Sequence, residues 1–445
     1  MPIRASRRSP REARRYNPSD CSSGRTPFER DRDRILYTTA LRRLAGVTQV
    51  IAPDEGHIVH NRLTHVLEVA QIGRRLAERL NREQKNEVKR VGGINPDVVE
   101  AAALAHDLGH PPFGHIAEDE LDQLVVSKGV PEGFEGNAQS FRVVTKLAVR
   151  TKAHPGLDLT AATLAATLKY PWVRAATGKK HKKFGAYSSE LEDLKKARAL
   201  ETNPDRQTPE AALMDLADDI AYSLSDLEDF IRAGKIPIGK LVADEKERDA
   251  FVEAVLPRLT NQHRMTSAAL KKRFKRLVES FPIEHGYEGT IRERANLRNV
   301  TGALMDDYIR KVTVNVTPEE NEPYIRLPDE LRLEIALLKH LTFHYVICDP
   351  ALAILQRGQR AIIRGLFHIF FEAAVACKES ERAFFPKRLT EALQAIPPEK
   401  NAEQRRYETV RSIADFIAGM SDREAVDLYQ RLQGFSARSL VRASL

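Results

Sequence analysis

Cysteine is nearly missing from this chain. Three occur in 445 residues, Cys21, Cys348 and Cys377, scattered and odd in number. That excludes a disulfide framework and a cysteine-bound zinc, and it sets the expectation of a reducing, cytoplasmic setting. Long apolar runs are missing as well. The best stretch, 361–377, is interrupted by Arg364, His368 and Glu372, so no membrane-spanning helix is expected. The first residues lack the apolar core of a signal peptide. There is one tryptophan, no internal repeat, and no glycine-rich phosphate loop of the P-loop or Rossmann kind. Extended patterning is confined to 312–316 and 324–327, which are expected to form a small hairpin.

What remains is charge and helical periodicity. The net charge is +8, and 42% of residues are hydrophobic against 30% charged. Mean hydropathy is -0.41 and the pI about 9.2. A basic balance favours anionic partners such as nucleotides or nucleic acid, although surplus lysine and arginine on solvated faces would look the same. Residues 1–27, rich in Arg, Ser and Pro, read as a disordered basic arm. From Phe28 onward the apolar spacing is helical: 28–44, 62–80, 97–107, 115–126, 160–170, 209–232, and then most of the chain to its end. Asn137 is the expected cap of a helix over 138–147. Pro171 to Tyr187 reads as a basic loop. The expected fold class is all-α.

The chemistry concentrates in Ala101-Ala-Ala-Leu-Ala-His106-Asp107-Leu-Gly-His110-Pro-Pro-Phe-Gly-His115. A run of Ala and Leu makes a thin helix able to lie deep in a core. It ends in a His-Asp pair, where Gly109 and the two prolines stop it. Burying so much ionisable chemistry is costly unless it binds something. His65 lies on a helix whose later face is apolar. Asp218 interrupts the apolar run Leu216-Ala-Asp-Asp-Ile-Ala-Tyr222. His65, His106, Asp107 and Asp218 together offer two imidazoles and two carboxylates. That set suits a borderline divalent metal, or Mg with water filling the remaining positions. Asp219, about 100° round the helix from Asp218, is the competing ligand.

These residues carry a resemblance. The chain is similar to the HD-domain superfamily of metal-dependent phosphohydrolases, and within it to the bacterial deoxyguanosine triphosphate triphosphohydrolases. The matching stretches are Leu41-Arg-Arg-Leu with Thr48-Gln49-Val50, Asn61-Arg-Leu-Thr-His-Val-Leu-Glu-Val69, His106 to His115, Gly133-Phe-Glu-Gly-Asn-Ala-Gln139, Leu168-Lys-Tyr-Pro-Trp172, Lys183-Phe-Gly185 and Ala217-Asp-Asp-Ile-Ala-Tyr222. They run in family order over about 28–235. At Ile116-Ala117-Glu118 the family usually has Gly before the Glu, which leaves the acidic position usable.

The resemblance implies an HD-domain helical bundle over 28–235, followed by a helical C-terminal region, 236–445, serving substrate closure or oligomerisation. It implies His65, His106, Asp107 and Asp218 as ligands of a divalent metal (Mg, Mn, Fe or Co), and His115 with Glu118 as the catalytic pair. Their i, i+3 spacing lets the carboxylate orient the imidazole. Arg62 and His110 would face the triphosphate. Tyr222 would stack under the deoxyribose and exclude a 2′-hydroxyl, while Asp226 and Gln49 hold the 3′-hydroxyl. The basic loop at Lys179 to Lys183 reads equally as a solvated loop or as a lid on the triphosphate. The implied activity is cleavage of a deoxynucleoside triphosphate to deoxynucleoside and inorganic triphosphate. A second dNTP acting as activator, and a symmetric homo-oligomer, are part of the same expectation. Two rivals stand beside it: a phosphohydrolase for another nucleotide, and a binder of single-stranded nucleic acid with a regulatory metal site.

Overall fold

The computed structural model describes residues 9–17, 24–51, 60–201, 203–263, 266–283, 286–320, 322–376 and 379–435. The expected Pro53-Asp54-Glu55-Gly56 loop, most of the basic arm and the last ten residues lie outside the described residues. The described chain is all-α. It holds twenty α-helices and, among the described residues, one two-stranded antiparallel ribbon pairing Thr313 with Arg326 and Val314 with Ile325. The small hairpin is thus borne out.

Three helices hold the centre: Arg62–Glu83, Pro96–Ala105 and Pro209–Arg232. Each starts where a polar side chain satisfies free backbone N–H groups. Asn61 accepts from Thr64, Asn95 from Asp97 and Val98, and Thr208 from Ala211. Proline opens the latter two, where its missing N–H costs nothing. The helices meet at Gly73. A Cβ there would lie 2.9 Å from Val99 Cγ1 and 3.6 Å from Ala217 Cβ. A larger residue at this crossing would overpack it, at a cost of about 1–3 kcal/mol. Ala101, Ala102, Ala103 and Ala105 are fully buried, as the thin-helix reading expects.

Several boundaries differ from the sequence reading. Residues 9–17 do not behave as a disordered arm. Arg14 is buried against Asp31 at 2.6 Å, Arg11 pairs with Glu210, and Arg15 with Asp193. Tyr16 stacks on His154 with ring centroids 4.8 Å apart. The arginines that suggested solvation are consumed by acids of the core. The 28–44 helix is two, Pro27–Leu36 and Thr39–Arg43, because the Thr38 hydroxyl restarts the chain by capping Leu41 N–H. Glu135, not Asn137, caps the Gly136–Arg142 helix; its Oε2 accepts from Asn137 N at 2.6 Å and Ala138 N at 3.0 Å. The basic loop contains a short helix, Lys179–Lys182.

Residue 235 is not a core boundary either. Ile236, Phe251, Phe274, Leu297 and Leu338 share one apolar cluster with Val69, Leu104 and Leu213. A second cluster joins the His115–Ser127 helix to Pro350–Val375 and Ala402–Ala418 through Ala117, Leu121, Phe367, Phe370, Ile413 and Ile417. The C-terminal helices therefore pack directly behind the stretch richest in chemistry.

Candidate active site

The Pro96–Ala105 helix ends at His106, and the chain turns sharply through Asp107 to Gly114 before the His115–Ser127 helix begins. Gly109 makes this turn possible. A Cβ at this position would overlap the backbone of Gly136, Gln139 and Ser140. The Ser140 hydroxyl completes the join, accepting from Gly109 N at 2.9 Å and donating to the His106 carbonyl at 2.7 Å.

His65, His106, Asp107 and Asp218 converge from three helices and this turn. His65 Nε2 lies 3.0 Å from Asp218 Oδ1; His106 Nε2 lies 3.4 Å from Asp107 Oδ1 and 3.7 Å from Asp218 Oδ1. His106 Nδ1 sits 2.6 Å from the Ala103 carbonyl, which places its proton there and leaves Nε2 bare. That Nε2 is buried and has no hydrogen-bond partner. An orphaned imidazole nitrogen facing two carboxylates is what a divalent cation would satisfy, and the donor set fits one. Asp219 lines the same cavity but is turned away from the histidines: its Oδ1 takes Lys339 Nζ at 2.6 Å.

Electrostatics favour charge on the carboxylates. Burial pushes Asp107 up, but its neighbours His106 and Arg62 and the bond from His110 hold it well below the usual carboxylate range. Asp218 is likewise held low against its burial, first by Lys169 and then by the bond to His65. Burial lowers His110 to about 4, with the nearby Arg62 charge adding to this against the pull of Asp107.

Arg62 is not a surface pair. Only 2% exposed, it donates from Nη1 to Asp107 Oδ2 at 2.6 Å, and from Nε and Nη2 to the Thr48 carbonyl at 3.2 and 3.0 Å. It therefore aims Asp107 as well as facing the cavity. His110 Nδ1 lies 3.1 Å from Asp107 Oδ1, and its ring meets that of His115 edge-on at 5.2 Å. His115 is the exposed member, with 68% of its side chain open, and its Nδ1 is 2.7 Å from Glu118 Oε2. The other oxygen of Glu118 accepts from Lys183 Nζ at 3.0 Å and Gly136 N at 3.2 Å. Burial opposes the charge on Glu118, yet the His115 bond and the Lys183 charge keep it well below the usual range.

All of this opens on one cavity of about 1060 Å³, lined by Gln49, Arg62, His65, His106, Asp107, His110, His115, Asp218 and Tyr222 among others. That volume suits a nucleotide-sized ligand. Glu118 stands behind His115 and does not line it. Asp226 does not line it either: it is buried two turns beyond Asp218, with Oδ2 unpartnered, and burial together with the Asp229 and Glu68 charges pushes it up to about 7. The Gln49 Oε1 is also buried without a partner.

The sequence reading gave no role to Lys169 or Lys339, and took Lys183 only as the end of a solvated loop or triphosphate lid. Lys169 Nζ donates at 2.8 Å both to Asp218 Oδ2 and, as an ion pair, to Asp215 Oδ1. It falls inside Leu168-Lys-Tyr-Pro-Trp172, a stretch noted for its resemblance and given no role. Lys183 ties Glu118 to Glu135, at 3.0 and 2.9 Å. Lys339 lies 5.5 Å from the Tyr222 ring centroid, and nothing in its amphipathic helix marks it out.

Comparison with known proteins shows which families the chain resembles. Residues 62–223 match the family model described as HD domain, and residues 325–431 match one described as phosphohydrolase-associated domain. A Streptomyces coelicolor protein named deoxyguanosinetriphosphate triphosphohydrolase-like is 36% identical, over 96% of this chain and 97% of its own length. Proteins of the same name from Corynebacterium glutamicum and Shewanella sp. are 32% and 31% identical, covering 89% and 94% of this chain and 89% and 95% of their own lengths.

Proposed function

The chain belongs to the deoxyguanosinetriphosphate triphosphohydrolase-like group of HD-domain phosphohydrolases, and from that footing we propose that it cleaves deoxynucleoside triphosphates to deoxynucleoside and inorganic triphosphate. One observation carries the reading. Two histidines and two carboxylates, His65, His106, Asp107 and Asp218, share one nucleotide-sized cavity with the exposed His115, whose Nδ1 is held from behind by the buried Glu118.

His65, His106, Asp107 and Asp218 would hold a divalent cation, which supplies positive charge against the phosphates. The chain's own residues do the rest. Arg62 keeps Asp107 aimed inward while its remaining N–H groups face the cavity. Lys169, beside Asp218, and Lys183, beside Glu118, add cationic charge to the cavity lining. Water adds at the α-phosphorus, the bond to the 5′-oxygen breaks, and that oxygen leaves protonated. His115 moves the proton at this centre. Its Nδ1 is committed to Glu118, so Nε2 is the atom that exchanges. Tyr222 stands on the same helix as Asp218, one turn on, where a ring under the sugar would reject a 2′-hydroxyl.

Incubation of the metal-loaded protein with each dNTP, singly and mixed, tests this. Deoxynucleoside should appear directly, without a monophosphate intermediate. Release of monophosphate, or turnover of another nucleotide class instead, would contradict it.

A further inference from the structure

Far along the chain, one carboxylate reaches back to two loops of the site. Asp422 opens the Asp422–Leu432 helix, whose end is fixed by the reciprocal Ser421–Glu424 capping box. Its Oδ2 accepts from Thr48 N at 3.0 Å and from Thr48 Oγ1 at 2.5 Å. Its Oδ1 accepts from Phe113 N at 2.8 Å. Asp422 does not line the cavity.

We propose that Asp422 is a positioning residue, the peg that holds the Thr48–Gln49 loop and the Phe113–His115 turn in one register. The proposal rests on the reading that the 106–118 stretch carries the chemistry. Both arms lead to reactive groups within a few bonds. On one, the Thr48 carbonyl takes two donors from Arg62, and Arg62 in turn holds Asp107. On the other, Phe113 precedes Gly114 and His115. Phe113 has φ of 65°, a region that an L side chain rarely adopts, so the turn must be held from outside. Burial of its ring in the second apolar cluster and the bond to Asp422 do that.

The same corner is braced by Arg43. It is a half-buried side chain whose donors go to the carbonyls of Met420 at 2.9 Å, Leu108 at 2.8 Å and His110 at 2.9 Å. A Cβ on Gly46 would stand 3.0 Å from the Ser421 Cβ, which shows how closely 420–422 is seated on the loop before Thr48. The C-terminal helices thus act on the site through residues 420–422, without contacting ligand there.

The test uses the full chain with D422N, D422A, T48V and T48S. Asparagine keeps the volume but turns one oxygen into a donor, facing either Thr48 or Phe113. Backbone amide exchange is measured for peptides spanning Thr48 and Phe113, with the Arg62–Glu83 helix as the internal control, and kcat and KM are measured on dNTPs. In D422N and D422A both loop peptides should exchange faster while the helix keeps its protection, and kcat should fall about 10–100-fold with KM moved far less. T48S, which keeps the hydroxyl, should hold the 48 loop where T48V releases it. Unchanged exchange in the two loops, or equal loss of protection in the helix, would overturn the proposal. If wild type turns over no dNTP, the functional reading fails, and the exchange pattern still decides the role of Asp422.

Discussion

Glu118→Gln is the sharpest probe of the site, because the environment of each oxygen dictates how the amide must sit. Oε1 receives donors from Lys183 and Gly136, so the amide oxygen has to take that side. The amide nitrogen then faces His115 Nδ1 at the 2.7 Å position where an acceptor stood. Two donors cannot share that contact. His115 must release the Nδ1 proton, so the imidazolium is disfavoured and the neutral ring keeps its one proton on Nε2, the nitrogen that has to exchange. Losing an orienting partner of this kind costs about 10–100-fold in kcat. His115→Ala removes the proton carrier and should cost about 10²–10⁴-fold. Because Glu118 acts through His115, the double variant should be little worse than His115→Ala alone. The assay is initial rate at saturating dNTP, with metal content measured on each variant. Metal should stay at wild-type stoichiometry, since His65, His106, Asp107 and Asp218 are untouched. Losses that multiply in the double variant would refute the reasoning and make His115 a phosphate contact.

Three further outcomes follow. His106→Ala or Asp107→Ala should abolish both turnover and bound metal while the helical circular dichroism survives; metal content unchanged in both variants would rule out the ligand assignment. Wild type should discriminate strongly between dNTP and NTP, and Tyr222→Ala should lose that preference with much of its activity; equal wild-type turnover of GTP and dGTP would contradict the role of Tyr222. His60 is raised to about 10 by its bonds to Asp229 and Glu68, from an ordinary 6.5. A raised histidine stabilises the fold fully below its unfolded value and loses that contribution as pH climbs through its folded value. The melting temperature should therefore decline from about pH 6.5 to pH 10 more steeply in wild type than in His60→Gln, and parallel curves would show that His60 contributes nothing.

The parts of this protein that were legible in its sequence are those written in local pattern. Proline and threonine at 208–209 fix the start of the helix bearing Asp218 and Tyr222, and its range, 209–232, is the one expected. The alanine run before His106 announces a helix thin enough to bury. Helical rotation says only that Asp218 and Asp219 face different ways; packing turns Asp218 to His65 and Asp219 to Lys339. What stayed hidden is non-local. Nothing near Arg14 says that Asp31 and the Asp158 carbonyl will receive it, so a basic segment reads as solvated. Glu135 outcompetes Asn137 as a cap because its carboxylate reaches two N–H groups, which spacing does not rank. Lys339 and Asp422 arrive from helices that sequence pattern identifies only as amphipathic.

The central claim is that water attacks the α-phosphorus and expels the 5′-oxygen. Phosphorus NMR of dGTP and mixed-dNTP turnover in heavy-oxygen water measures this directly. The account predicts inorganic triphosphate as the phosphorus product, carrying one heavy oxygen on a terminal phosphorus, with unlabelled deoxynucleoside beside it. Pyrophosphate or orthophosphate as the released species, or heavy oxygen in the deoxynucleoside, would contradict it.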